Sequence, residues 1–465
     1  MTRSTVSRQL LVLVLLLAAC SSSNTPPHAA LAPSADCPEG PAAADPRVRW
    51  LAAHAIRVRS VDPADDDFSD LQPLKEVLRD ARVVLLGEQS HGEGTVFLAK
   101  TRLIAFLHQE MGFDVLAFES GLYDCAVAWE RLRAGEAAAT AVPRCVFPIW
   151  TRSEQLRPLI AYLGEQARGP RPLELAGFDD QFTGSASRER LVADLRALLD
   201  RLGAPFARGP GWEPFAAALQ ALAENLYQRG KAADPAAEEQ VLFLHRLETV
   251  RAEVAARGAA DDPETAFWLQ VLEGVGPAAR QQWLYDPGTE SVGPEIGRLR
   301  DTQMGRNLVW LANEHYPGRK IVGWAATYHA ARGLGPLQPE ESELAEWYRQ
   351  VTVMGEVAAR ELGDALYTLG FTAYEGSFGT PYEPRPETLA PAHAGSLEDL
   401  LRRACLEHAI VDFRRPPPGG EWLRGPLVSR PLGHQEMRAP WGEVVDGLMF
   451  SRAVAPSTQA VERAP

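Results

Sequence analysis

Four short apolar runs, each closing on or leading into a charged or titratable side chain, constrain this chain more than anything else in it. They are RVVLLGE (82–88), DVLAFE (114–119), LELAGFD (173–179) and KIVGWA (320–325), each bounded by loop residues. Amphipathic helical segments lie between them. In 96–111, Leu98, Leu103, Phe106 and Leu107 recur at helical spacing. Strand–helix–strand alternation argues for an α/β fold with a central mixed, largely parallel sheet flanked by helices. Residues 366–376, 409–413 and 447–454 read as further strands, in antiparallel edge or extension positions. From about 188 to 285 the chain is rich in Ala, Leu, Glu and Arg, as in RERLVADLRALLDRL, which predicts an inserted helical subdomain. The chain crosses from sheet to helices and back, so 46–455 reads as one interrupted domain.

Ligands of open α/β sheets bind outside the carboxyl ends of the strands. Those ends carry Glu88 with His91 three residues on, then Glu119, Asp179 and His329. Two glutamates, an aspartate and two histidines are thereby delivered to one rim. Gly87, Gly92 and Gly94 surround Glu88 and His91, which suits a sharp turn and close approach to a ligand. His91 is the natural general base, because an imidazole titrates near pH ~6.5. Glu88 or Glu119 would orient the ring. The competing readings are a structural histidine at 91, a buried ion pair at Glu119 and a helix cap at Asp179. There is no G-x-S-x-G elbow, no H-E-x-x-H helix, no paired C-x-x-C and no phosphate-cradling G-x-x-x-x-G-K-[ST] loop. A base that activates water directly fits what is present.

The amino terminus is a targeting segment. Arg3 and Arg8 precede an apolar run over residues 10–17, too short for the ~20 residues of a membrane-spanning helix. Leu17-Ala18-Ala19-Cys20 resembles a bacterial lipobox, which implies cleavage after residue 19 and a lipid on Cys20. Residues 20–45 read as a flexible tether and 456–465 as a tail. The expected location is the cell envelope, at the outer membrane facing the periplasm. Lys plus Arg is 47 against 61 Asp plus Glu, a net charge of −14 that disfavours nucleic acid as a partner. After Cys20, four cysteines remain that an exported protein can oxidise; Cys125 with Cys145 is the favoured pair, since they flank one helical segment.

VVLLGEQSHGEGTVFLAKTRLIAFLHQEMGFDVLAFES resembles the opening of the erythromycin esterase family, with its G-E-x-x-H-G segment and G-F-x-x-x-x-x-E strand. GFDDQ (177–181), Arg300-Asp301-x-x-Met304-x-x-Asn307-x-x-Trp310, KIVGWAATYH and LGDALYTLGFTAYEGSF follow in the family's order. The resemblance implies an ester or lactone hydrolase, with macrolides among the substrates and no bound metal or other cofactor. It implies catalytic roles for His91, Glu88, Glu119 and His329. It points to a basic substrate-binding residue, for which Lys100 and Arg102 are the candidates beside Asp179, and to Arg300 and Asp301 as structural support. One position departs: Ala326 stands where the family's W-x-H-N-x-H motif has its first histidine. The alternatives are a ligand-, metal- or haem-binding surface lipoprotein of related fold, in which Glu88, His91, Glu119 and His329 would be the ligands, and an inactive member.

Overall fold

Val83–Leu86 is four consecutive buried aliphatic residues, and a strand apolar on both faces must be covered on both. In the computed structural model, which describes residues 45–224, 235–285, 294–383 and 385–460, it lies in the middle of a nine-stranded sheet. In chain order the strands are β1 (Ile56–Arg57), β2 (Val83–Leu86), β3 (Phe113–Gly121), β4 (Glu174–Asp179), β5 (Lys320–Trp324), β6 (Leu366–Phe378), β7 (Glu387–Leu389) and β8 (His408–Asp412). They are followed by β9 (Leu427–Ser429), β10 (Met437–Ala439) and β11 (Gly447–Val454). The sheet runs β1-β8-β11-β6-β2-β5-β3-β4, with β7 added to β6 and with β9–β10 as a separate ribbon. Strands β11, β6, β2, β5, β3 and β4 are mutually parallel; β8, β1 and β7 pair antiparallel. The fold is thus the mixed α/β sheet that the strand–helix alternation predicts.

Two corrections follow. β6 is no edge strand: Val83 sits opposite both Ile321 and Leu366, so β6 is an inner parallel strand beside β2. Its sequence, LYTLGFTAYEGSF, is buried over its first eight residues, as a doubly covered strand must be. Cys125 and Cys145 are not bonded to each other. Both are free and buried, with the Cys145 thiol donating to the Val142 carbonyl, and both lie in the apolar core, where a thiol packs as a small hydrophobe. Cys405 is disulfide-bonded. Cys20, Cys37 and the leader and tether fall outside the described residues.

Side chains alternate across the sheet. Val83 and Leu85 of β2 join one core, Val84 and Leu86 the other. The first core continues without a break into the helical region, through Leu191, Phe215, Leu247 and Trp268. That region begins at helix Ser185–Arg201 and extends past helix Ala237–Arg257 and helix Pro263–Leu284 to helix Pro294–Trp310. Sharing a core with the sheet, it cannot be a separately folded insert. None of the described helices is long and apolar enough to cross a membrane.

Residues 455–460 are a bound strap rather than a loose tail. The Ser457 amide donates to the Gly92 carbonyl (2.8 Å), the Ala460 amide to the Arg152 carbonyl (2.7 Å), and the Glu154 amide to the Thr458 carbonyl (2.8 Å). Ser457 Oγ donates to Ser153 Oγ inside the protein.

Candidate active site

The turn after β2 is built by close backbone approach. A Cβ on Gly87 would meet the Thr327 backbone at 2.9 Å, and one on Gly92 the Gly379 backbone at 2.8 Å. Any larger residue would push the turn off its neighbours. Glu88 leaves this turn fully buried, and both its oxygens are occupied. Oε1 accepts from His91 Nδ1 (2.7 Å) and Trp150 Nε1 (2.8 Å), and Oε2 accepts from Lys100 Nζ (2.6 Å). With Nδ1–H given to a carboxylate, the His91 Nε2 lone pair is the one that faces outward. The imidazole is 34% exposed, enough for a water molecule to reach it. Burial pushes its basicity down, but the Glu88 hydrogen bond and the charges of Glu88, Glu119 and Glu93 outweigh that, so His91 titrates above its ordinary 6.5.

Lys100 is not a substrate ligand. It is buried, donates also to the Ala325 carbonyl (3.2 Å), and lies over the Trp324 ring, so its ammonium is a fixed counter-charge for Glu88. Arg102, two residues on and therefore on another side of the same helix, is outside the site altogether. Its guanidinium ties down the loop of residues 60–70, through both Asp70 oxygens and the carbonyls of Ser60, Asp65 and Asp67.

The opposite wall comes from β3, β4, β5 and helix Pro294–Trp310. Arg300 reaches from that helix to Asp179 (Nη2–Oδ2 2.6 Å, Nε–Oδ1 3.2 Å) and Glu119 (Nη2–Oε1 2.9 Å). Its Nη1 lies 3.2 Å from His329 Nε2. Of the five N–H groups of a guanidinium, the carboxylates take the one on Nε and the two on Nη2, which leaves the Nη1 group beside His329 and the cleft. His329 donates from Nδ1 to Asp301 Oδ1 (2.7 Å), and its Nε2 lies 3.4 Å from Glu119 Oε1. Asp301 is in turn fixed by the Met354 amide. Burial works against the imidazolium, yet the Asp301 and Glu119 charges raise His329 above its ordinary value. Burial likewise works against the Glu119 carboxylate, but His329, Arg300 and His91 hold it down at about 2. Its other oxygen accepts from the Ala326 amide (3.1 Å). Two cations are thus framed by the three carboxylates Glu119, Asp179 and Asp301.

His91, Glu119, Arg300 and His329 converge on one cleft of about 580 Å³. The sequence reading names all four. Asp179, read as a substrate contact, is fully buried against Arg300, and Arg300, read as structural support, makes those salt bridges and also lines the cleft. The rest of the wall, Phe147, Pro148, Ile149, Trp150, Gln181 and Tyr382, was missed. Only Gln181 had a signal, at the end of GFDDQ. Among the described residues no three His, Cys, Asp or Glu side chains are grouped as metal ligands.

The erythromycin esterase family model matches residues 108–453. A Bacillus subtilis (strain 168) protein named "Putative hydrolase YbfO" is 26% identical over 88% of this chain and 91% of its own. An Escherichia coli protein named erythromycin esterase type II is 42% identical over 57 residues, 12% of this chain and 14% of its own. Three solved structures share the fold. A Bacillus cereus protein has a TM-score of 0.73 at 18% identity, over 89% of this chain and 98% of that one. One titled a succinoglycan biosynthesis protein has 0.68 at 19%, over 89% and 97%. A mutant of the erythromycin esterase EreC in its open conformation has 0.65 at 16%, over 88% and 99%. On a family match that spans most of its length and both cores of its sheet, the chain belongs to the erythromycin esterase family.

Proposed function

We propose that the protein is a hydrolase that cleaves an ester or lactone with water activated by His91. The observation that carries this reading is the Glu88–His91 pair opening on the same cleft as Arg300 and His329. Family membership supports the hydrolase class, and the ester or lactone substrate goes beyond it. Water gives a proton to His91 Nε2 as its oxygen attacks the carbonyl carbon, and Glu88 steadies the imidazolium that forms. The developing oxyanion lies toward Nη1 of Arg300. When the carbon–oxygen bond breaks, His329 in its protonated form, whose Nε2–H does not accept from Arg300, gives that proton to the leaving alkoxide. Glu119 acts by holding Arg300 and His329 rather than by holding water, since Arg300 and the Ala326 amide engage its two oxygens. The Phe147, Ile149, Trp150 and Tyr382 wall suits an apolar acyl or alkyl group, and a macrolide lactone falls within that class.

The test is a screen of esters and lactones, macrolides included, with wild type and His91→Ala in parallel. Hydrolysis by wild type that His91→Ala loses is expected. Full activity in His91→Ala sinks the mechanism. We also propose that the protein is exported and anchored through a lipid on Cys20. Metabolic labelling with palmitate should mark the wild type and not Cys20→Ala.

A further inference from the structure

Behind the Glu88–His91 pair sits a second carboxylate and histidine that the proposed chemistry does not use. Glu93 is fully buried, two residues after His91. It accepts from Ser90 Oγ (2.5 Å), from the Ser90 amide (3.2 Å) and from His434 Nε2 (2.5 Å). His434 comes from far along the chain, on the loop between β9 and β10. Its backbone is left-handed (φ 59°), uncommon for a residue with a side chain. The conformation is held in place: the adjacent Gly433 amide donates to the Gln89 carbonyl (2.9 Å), and the ring packs on Phe378 at 4.3 Å between centroids. Among the described residues Nδ1 of this ring is buried with no hydrogen-bond partner, so the polar contact the strained backbone secures is the one to Glu93.

We propose that His434 is a positioning residue for His91 that acts through Glu93. The two form a second carboxylate–histidine pair that fixes the turn of residues 88–94 and sets part of the electrostatic field on the His91 ring. The turn's other ties include Ser90, the Gly433–Gln89 bond, the strap at Gly92, the Gly379 amide on the Gly92 carbonyl (3.0 Å) and the Thr327 amide on the Glu88 carbonyl (2.8 Å). The charged groups facing His91 are Glu88 from the end of β2, Glu119 from β3 and Glu93 from its own turn. Arg300 and His329 face it across the cleft, and Lys100 lies behind Glu88. Glu93 is one of three carboxylates whose charges favour protonated His91, and the same charge favours protonated Lys100. Removing it must lower the pH at which His91 titrates.

Only the kinetic part of the test rests on the proposed hydrolysis. The His91 titration is followed by NMR of imidazole-labelled full-length protein in wild type and Glu93→Gln. The midpoint should fall in Glu93→Gln; an unchanged midpoint overturns the proposal, whatever the substrate proves to be. On the best ester from the screen, His434→Phe keeps the stack on Phe378 but loses the donor. It should lower kcat by roughly 10-fold with KM within about twofold, as expected of a mispositioned base. His434→Gln restores a donor and should recover most of kcat. A folded His434→Phe with wild-type kcat, or a His434→Gln as impaired as His434→Phe, overturns the positioning role. Should His434→Phe fail to fold, Glu93→Gln and His434→Gln still decide.

Discussion

The two rims of the sheet are both dense in ion pairs, yet they differ in how far those pairs are buried. At the amino ends of the strands, Arg319 bonds Glu174 (2.6 Å) and Asp114 (3.0 Å), and all three side chains are one-fifth to two-fifths exposed. At the carboxyl ends, Arg300 bonds Asp179 and Glu119 at similar distances, but the carboxylates are buried and the cation lines a cleft. Distance, charge and an adjoining cavity do not separate the two rims, since Asp114, Glu174 and Arg319 also line a cavity, of about 480 Å³. Burial of the anions does. Solvent screens the first network, whereas the second fixes charges where water has been largely excluded, and there each one alters the titration of its neighbours.

That contrast can be broken by substitution. The largest effect is expected from His91→Ala, which should lower kcat by about 10²–10⁴ while the fold persists, because Glu88 keeps Lys100 and Trp150. Circular dichroism and thermal melts check the fold. Next is Arg300→Met, which strands Glu119 and Asp179 in the interior. It should cost about 3–5 kcal/mol in denaturant unfolding. In the same experiment Arg319→Met, at the other rim, should cost no more than about 1 kcal/mol and leave activity unchanged. Equal losses for the two arginines would erase the distinction drawn here. Trp150→Phe removes one of three donors to Glu88 and should cost about 1 kcal/mol, read as a several-fold drop in kcat.

Two pH effects sharpen the same contrast. Glu119 is held at about 2, below its ordinary 4.5, so its contribution to stability is present above 4.5 and is lost as pH falls toward 2. Acid unfolding monitored by fluorescence should show that loss in wild type and a smaller one in Glu119→Gln. His91 is raised, and its neutral form is the base, so kcat/KM should climb with pH to a plateau above 6.5. A plateau already reached below 6.5 would contradict the role of Glu88 and its neighbours.

The catalytic rim was legible in the sequence because a strand of a parallel sheet announces both its apolar body and the polar residue at its end. Glu88, Glu119, Asp179 and His329 are read that way. Arg300 was found through the family's motif as support, and its place in the cleft was not foreseen. It meets Asp179 across 121 residues of chain, and no local pattern records such a meeting. Lys100 and Arg102 differ by two positions on one helix, so rotation alone sends one to Glu88 and the other to the loop at Asp70. β6 carries the same apolar signature as β2, and its inner place follows from pairing order, which the strand itself does not encode. The apolar wall lies on short helices and turns without periodicity, where there is nothing to count.

The strap of residues 455–460 bears on when the site comes into being. It ties the Gly92 turn to the Ser153 turn that follows Trp150, and so joins the base to the apolar wall. The residues it joins are among the first of the domain to be synthesised, and the strap is far behind them. A growing chain therefore holds His91, Glu88 and Trp150 long before it can fasten them together. Fastening the turn to the wall waits on a segment 304 residues beyond Ser153.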